Sequence, residues 1–159
     1  MQNIWFLSHA TMPPHLAVRI RTNAFAKYLV KKGYSVNIFT ASTIHNTNIN
    51  LIKDKKVLYI EKEYDGVIYN HIRTSNYSGN GISRIINLLQ FPIRFYRVAK
   101  KKEQRPDVIV CNPQSIFAVV PYIVSRKFNA KFICEVRDLW PESIVVYKCF
   151  SRKNPIIWL

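Results

Sequence analysis

NIWFLSHATMPPHLAVRIRTNAFAKYLVKKGYSVNIFT, residues 3–40, decides the fold. Residues 3–8 form a short apolar run of the length of a buried strand. Pro13-Pro14 forbids ladder hydrogen bonds in the loop that follows. Over residues 15–32 the pattern is helical: Ala17, Ile20, Ala24 and Tyr28 share a stripe, with Phe25 and Leu29 beside it. Lys27, Lys31 and Lys32 suit the negative end of that helix dipole, and Gly33 suits the left-handed position that closes it. Residues 34–40 read as a second strand. Strand, helix and strand in this span predict a βαβ unit with parallel strands.

The pattern continues along the chain. Residues 57–63 and 67–73 alternate on either side of Tyr64-Asp65-Gly66, which predicts a β-hairpin or a pair of edge strands. Ser83 is the expected cap of a helix over 83–103. That helix carries two apolar stripes: one of Ile85, Ile86, Leu89 and Ile93, the other of Leu88, Phe91, Phe95 and Val98. Pro92 is expected to kink or divide it. Its cations, Arg84, Arg94, Arg97 and Lys100-Lys101-Lys102, leave two readings open: a helix lying at a membrane interface, or a core helix with a basic outer edge. Residues 106–112 predict another buried strand. Residues 116–128, apolar on nearly all sides, predict a buried helix bent at Pro121, and 131–136 the next strand. From 144 onward the pattern is helical again. Alternating strands and helices predict an α/β fold, a Rossmann-like doubly wound, mostly parallel sheet. Such sheets bind ligands beyond the carboxyl ends of their strands. Ser8-His9, Cys111-Asn112 and Arg137-Asp138 are therefore expected to converge on one edge.

Composition narrows the function. The 159 residues suit one domain. Twenty-four Lys and Arg against nine Asp and Glu give a net charge of +15. Such a field attracts nucleic acid, phosphorylated substrates or anionic membranes, and it is equally the mark of a generally lysine-rich surface. No helix-turn-helix, finger or RNP signature is present, so nucleic acid is not the expected partner. No G-x-G-x-x-G, Walker or G-x-S-x-G motif occurs, and four glycines leave little room for a phosphate-cradling loop. His9, His15, His45 and His71 lack metal-ligand spacing, so no metal is expected. Cys111, Cys134 and Cys149 form no C-x-x-C pair and read as reduced, mostly buried residues of a cytoplasmic protein. The start lacks a basic leader, and no run nears the ~20 apolar residues of a membrane span.

Residues 135–143, Glu135-Val136-Arg137-Asp138-Leu139-Trp140-Pro141-Glu142-Ser143, concentrate charge where a strand leaves the core. Together with other stretches they carry a resemblance. Arg21-Thr22, Phe25-Ala26-Lys27-Tyr28-Leu29 and Lys32-Gly33-Tyr34-Ser35-Val36 are similar to an R-x-x-x-L-A-x-x-L…K-G-H-x-V opening. Asp65-Gly66-Val67 resembles a DGV edge, and Pro106-Asp107-Val108-Ile109 a PDVV strand. In this order and spacing the chain resembles the N-terminal domain of family-4 glycosyltransferases of GT-B fold, the type that builds bacterial capsule and O-antigen. It departs from them in two places. The loop Ala10-Thr11-Met12-Pro13-Pro14 has no glycine, and Arg137 stands where many members carry His.

The resemblance implies one N-terminal, acceptor-side domain over 1–159, without the C-terminal domain that holds the donor. It implies transfer of a sugar from a nucleotide-sugar, as co-substrate and with no other cofactor, to a glycan acceptor, with retention at the anomeric carbon. The acceptor is implied to be linked to polyprenyl diphosphate, at an anionic membrane surface on the cytoplasmic side. Asp138 and Glu142 are the implied catalytic carboxylates. His9, Arg21, Asn112, Arg137 and Trp140 are the implied acceptor-binding residues. The chain by itself is expected to be inactive. The alternative is a non-catalytic, truncated or split half that only binds acceptor or membrane.

Overall fold

The computed structural model describes residues 2–16, 21–44, 47, 49–77, 79, 81–112 and 118–136. Among them six strands form one sheet: β1 (Asn3–Leu7), β2 (Ser35–Ala41), β3 (Tyr59–Tyr64), β4 (Val67–Ile72), β5 (Val108–Cys111) and β6 (Lys131–Cys134). Their order is β3-β4-β2-β1-β5-β6. All neighbours are parallel except β3 and β4. Three helices connect them: α1 (Arg21–Lys31), α2 (Ile82–Lys101) and α3 (Val119–Lys127).

Side chains alternate across the pleat, so the inner strands β1, β2 and β4 serve two cores. On one face Trp5, Leu7, Phe39, Ala41, Ile72, Ile109 and Cys111 meet Phe91, Phe95 and Val98 of α2 and Val124 of α3. On the other, Val36, Ile38, Val67 and Tyr69 meet Ala26 of α1. With α1 on one side and α2 and α3 on the other, the sheet is doubly wound, as the alternation of elements predicts. Trp5 anchors the larger core, with Phe39 4.7 Å away and Phe95 and Phe128 edge-on to it.

Turn chemistry fixes the connections. At the end of α1, Tyr34 N–H donates to Leu29 O and Gly33 N–H to Val30 O, with Gly33 at φ 85°. This is the double hydrogen bond that closes a helix through a left-handed residue. Asn129, at φ 53°, ends α3 in the same way, with Ala130 N–H on Ser125 O. Asp65 and Gly66 both have positive φ, which gives the β3–β4 hairpin a turn twisted to suit its strands. The PDV stretch acts structurally: the Asp107 carboxylate accepts the Asn3 N–H at 2.6 Å and so completes the amino edge of β1.

Several expectations are corrected. α1 is preceded by a short 3-10 turn, Pro14–Leu16, and Ala17 and Ile20 lie outside the described residues. Ala24 and Tyr28 face water, whereas Thr22, Asn23 and Ala26 face inward. Among these inward polar residues, Asn23 donates its side-chain N–H to Met12 O. The cap of α2 is Gly81 rather than Ser83, and no side chain caps it. Pro92 sits buried within one continuous α2 and does not divide it. α3 is not buried on all sides: Val119, Tyr122 and Ile123 are exposed. Cys111 is buried, and burial pushes its thiol up to about 12, but Cys134 is exposed because β6 is an edge strand among the described residues. Cys149 lies outside the described residues.

His71 of β4 has no exposed surface and, among the described residues, no hydrogen-bond partner on either ring nitrogen, and Tyr69 stacks on it. Desolvation first, then the nearby Lys62 and His15 charges, lowers its pKa from 6.5 to about 4. The unfolded chain therefore binds the extra proton between those two pH values. His71 gives its full stability above about 6.5, and that stability is lost as pH falls toward about 4, to a total of about 3 kcal/mol. Urea denaturation across this range is expected to show that acid limb, and His71→Phe to flatten it. A limb of equal depth in the variant assigns the acid sensitivity to other groups.

Candidate functional site

The carboxyl edge of the sheet carries a buried polar network. Its centre is Asn87, on the inner face of α2 and fully buried. The Asn87 amide nitrogen donates to Thr43 Oγ1 at 3.1 Å and to the Ser75 carbonyl. Both amide hydrogens are thereby used. The amide oxygen lies 2.6 Å from His9 Nε2, so His9 must carry its hydrogen on Nε2. The His9 ring also stands edge-on to Phe91, 5.2 Å between centroids. Thr43 Oγ1 shares a hydrogen bond with Thr74 Oγ1, and Thr74 N–H donates to Ser42 Oγ. Gln90 Oε1 accepts the Ser75 N–H, and Asn50 Nδ2 donates to Thr74 O and Asn76 Oδ1. One residue of α2 thus ties the exits of β1, β2 and β4 together.

A pocket of about 170 Å³ opens beside the network, lined by Thr43, Thr47, Ile49, Asn76 and Tyr77. Its walls offer hydroxyls, an amide and an aromatic ring, and none of the described lining residues is charged. That donor and acceptor set matches neutral hydroxyl groups better than phosphate. Thr43 belongs to both pocket and network, so the pocket lies two hydrogen bonds from His9.

The switch point of the sheet is at β1 and β5, where the connections leave to opposite faces. Ser8 N–H donates to Phe39 O, Asn112 N–H to Leu7 O and Glu135 N–H to Cys111 O. The exits of β1, β5 and β6 therefore run side by side. Arg21, in the first turn of α1, reaches Glu135 beyond β6 at 2.5 Å. Its guanidinium also sits 5.6 Å from the Phe25 ring centroid.

Of the expected site residues, His9, Arg21 and Asn112 stand at this one edge. His9 lies on the α2 side, Arg21 at the start of α1, and Asn112 at the end of β5. Arg137, Asp138, Trp140 and Glu142 lie outside the described residues. Sequence reasoning missed Asn87 and Thr43 as parts of the edge, and it placed Glu135 there only as the start of the charged stretch 135–143. A signal for Asn87 existed: it heads the stripe continued by Phe91, Phe95 and Val98, where an apolar residue would be expected. Nothing local marks the Arg21–Glu135 pair, because its halves are distant in sequence.

No family model matches the chain, and no curated protein matches it. Among solved structures, MurG of Acinetobacter baumannii aligns at 16% identity and a TM-score of 0.47, over 84% of this chain and 34% of its own. A glycosyltransferase from Rickettsia africae ESF-5 aligns at 18% identity and 0.49, over 92% and 33%. A UGT transferase from Siraitia grosvenorii, in complex with UDP, aligns at 10% and 0.48, over 86% and 28%. The chain thus spans about a third of the length of each.

Asn87→Ala removes three hydrogen bonds and strands buried partners, which costs about 2–3 kcal/mol. Urea denaturation is expected to show that loss. Long-range nitrogen–proton correlation of the His9 ring should show the Nε2–H tautomer alone in the wild type and a mixture in the variant. A wild-type ring already mixed contradicts the network.

Proposed function

We propose that the chain is the N-terminal, acceptor-side domain of a GT-B glycosyltransferase, similar to family 4 and of the capsule or O-antigen type. The observation that carries this reading is the Arg21–Glu135 ion pair. It joins the R-x-x-x-L-A-like stretch to the EVRD-like stretch, the two most telling parts of the resemblance, across the edge where such sheets bind ligands. The hydroxyls and amide that the described residues give the pocket beside Thr43 support a sugar as the group held there.

On this reading a second domain, outside this chain, holds the nucleotide-sugar. The acceptor glycan enters between the two domains, and its sugar lies against the β2 and β4 exits. Asp138 accepts a hydrogen bond from the attacking hydroxyl, and Glu142 supports it. Arg137 and Arg21 neutralise phosphate oxygens of a polyprenyl-diphosphate-linked acceptor, while His9 and Asn112 line its path and Trp140 bounds it. The reaction retains the anomeric configuration and serves assembly of surface polysaccharide. The protein works peripherally at the cytoplasmic face of an anionic membrane, and no metal takes part in the proposed roles.

The test uses the polypeptide in which this chain is joined to a donor-binding domain, supplied with a panel of labelled nucleotide-sugars and lipid-linked acceptors. Label is expected to move into the lipid-extractable fraction. Asp138→Asn should lower turnover about 10²–10⁴-fold with an unchanged melting temperature. Arg21→Gln removes a solvent-exposed ion pair, so stability should change by less than about 1 kcal/mol while the KM for acceptor rises. Transfer from none of the nucleotide-sugars rejects the reading.

A further inference from the structure

Cys111 and Cys134 stand side by side where two neighbouring strands end. The parallel register of β5 and β6 sets them opposite one another. Neighbouring strands lie about 4.8 Å apart, within the span of about 4.4–6.8 Å between Cα atoms that a disulfide bridges. Both side chains leave the sheet on the same face. Cys111 belongs to the core beneath α2 and α3, and Phe132 of β6 packs against that core. Cys134 follows Phe132 at the two-residue period of a strand, so it shares that face.

Their exposure differs, and the difference assigns their chemistry. Cys111 is 2% exposed, whereas Cys134 is open to solvent on a strand with one neighbour among the described residues. A cysteine reacts as its thiolate and must meet its oxidant. Burial first, and the nearby Cys134 second, hold the Cys111 thiol protonated, with its pKa pushed up to about 12. Cys134 is therefore oxidised first, and Cys111 is placed to capture it. The backbone links this pair to the candidate site. Asn112 follows Cys111, Glu135 follows Cys134, and Glu135 N–H donates to Cys111 O at 2.8 Å. The Glu135 carboxylate holds Arg21. A bond between the two sulfurs thus closes directly under two strand exits of the candidate edge.

We propose that Cys134 and Cys111 are a peroxide-responsive thiol pair that closes reversibly into a disulfide across β5 and β6. The Cys134 thiolate attacks one oxygen of hydrogen peroxide. The O–O bond breaks, an S–O bond forms, and the leaving hydroxide takes up a proton as water. The Cys111 sulfur then attacks the sulfenic acid so formed. The S–O bond breaks, the S–S bond forms, and the leaving hydroxide carries off the Cys111 proton as a second water. Two thiols have lost two electrons, and the peroxide has gained them. A small dithiol reverses the change by exchange, and an exposed bond is of the labile kind that serves regulation. The closed bond fixes the spacing of the two exits and keeps Glu135 on Arg21. Its effect on sugar transfer rests on the function proposed above; the thiol chemistry does not.

The experiment treats the reduced chain with hydrogen peroxide, blocks remaining thiols and maps tryptic peptides, which separate the three cysteines. The expected product is a monomer about 2 Da lighter with the Cys111 and Cys134 peptides joined. A small dithiol should restore both thiols, and Cys149→Ser should leave the yield unchanged. Cys134→Ser, at an exposed position, should slow oxidation of Cys111 at least about tenfold without lowering the melting temperature. A bond to Cys149 or between two chains in place of this one overturns the proposal. So does Cys134 running on to sulfinic acid while Cys111 stays reduced. In the polypeptide joined to a donor-binding domain, the oxidised form should show an acceptor KM raised at least about fivefold. Equal values in the two forms overturn the coupling to the site. A reduced polypeptide that transfers nothing sinks only the enzymatic reading, because the peptide map is read without turnover.

Discussion

The hydrogen-bonded amide of Asn87 is the constraint on which the carboxyl edge depends. A primary amide offers two donors and one acceptor group, and all are used here, on Thr43, Ser75 and His9. In a buried site a single unmet group costs about 1–3 kcal/mol, so the three partners hold one another in register. The amide sits on a helix otherwise packed by Phe91, Phe95 and Val98. Apolar packing sets the distance of α2 from the sheet, and Asn87 sets its position along the strands. The histidine tautomer and the threonine wall of the pocket follow from that choice.

Much of the fold is legible in the residues because its strands are short apolar runs with unambiguous ends. Gly33 and Asp65-Gly66 sit where left-handed backbone is required, and both stretches read correctly. The α2 stripes are also visible in the residues, but not their allocation. Ile85, Ile86, Leu89 and Ile93 satisfy the helical period as well as Phe91, Phe95 and Val98 do, and periodicity alone cannot say which stripe faces the sheet. The same limit hides the exposure of Val119 and Tyr122. β6 misleads for another reason: Ile133 and Cys134 have core composition, but among the described residues β6 is an edge strand with a neighbour on one side only.

The site is legible in part. Residues at strand exits can be named from the sequence, since loops that follow parallel strands share one edge. His9 and Asn112 are found that way. What cannot be read is the pairing across the edge. Arg21 is expected to face ligand, yet it holds Glu135, which lies next to residues that the resemblance singles out. An exposed arginine bridged to a half-exposed carboxylate can exchange its partner at little cost, so the pair and a role toward phosphate are compatible.

The strand order carries a consequence for how the chain assembles. Ile4 lies at the middle of the sheet and pairs with Val36 on one side and Val108 on the other. The first pairing closes a short loop and can form while synthesis continues; the second waits for most of the chain. Until it arrives, one edge of β1 is open, with Trp5 lacking its Phe95 and Phe128 neighbours. Pairing across so long a stretch of chain closes slowly. The central strand β1 is thus enclosed on both sides only once residues 108–111 have joined it.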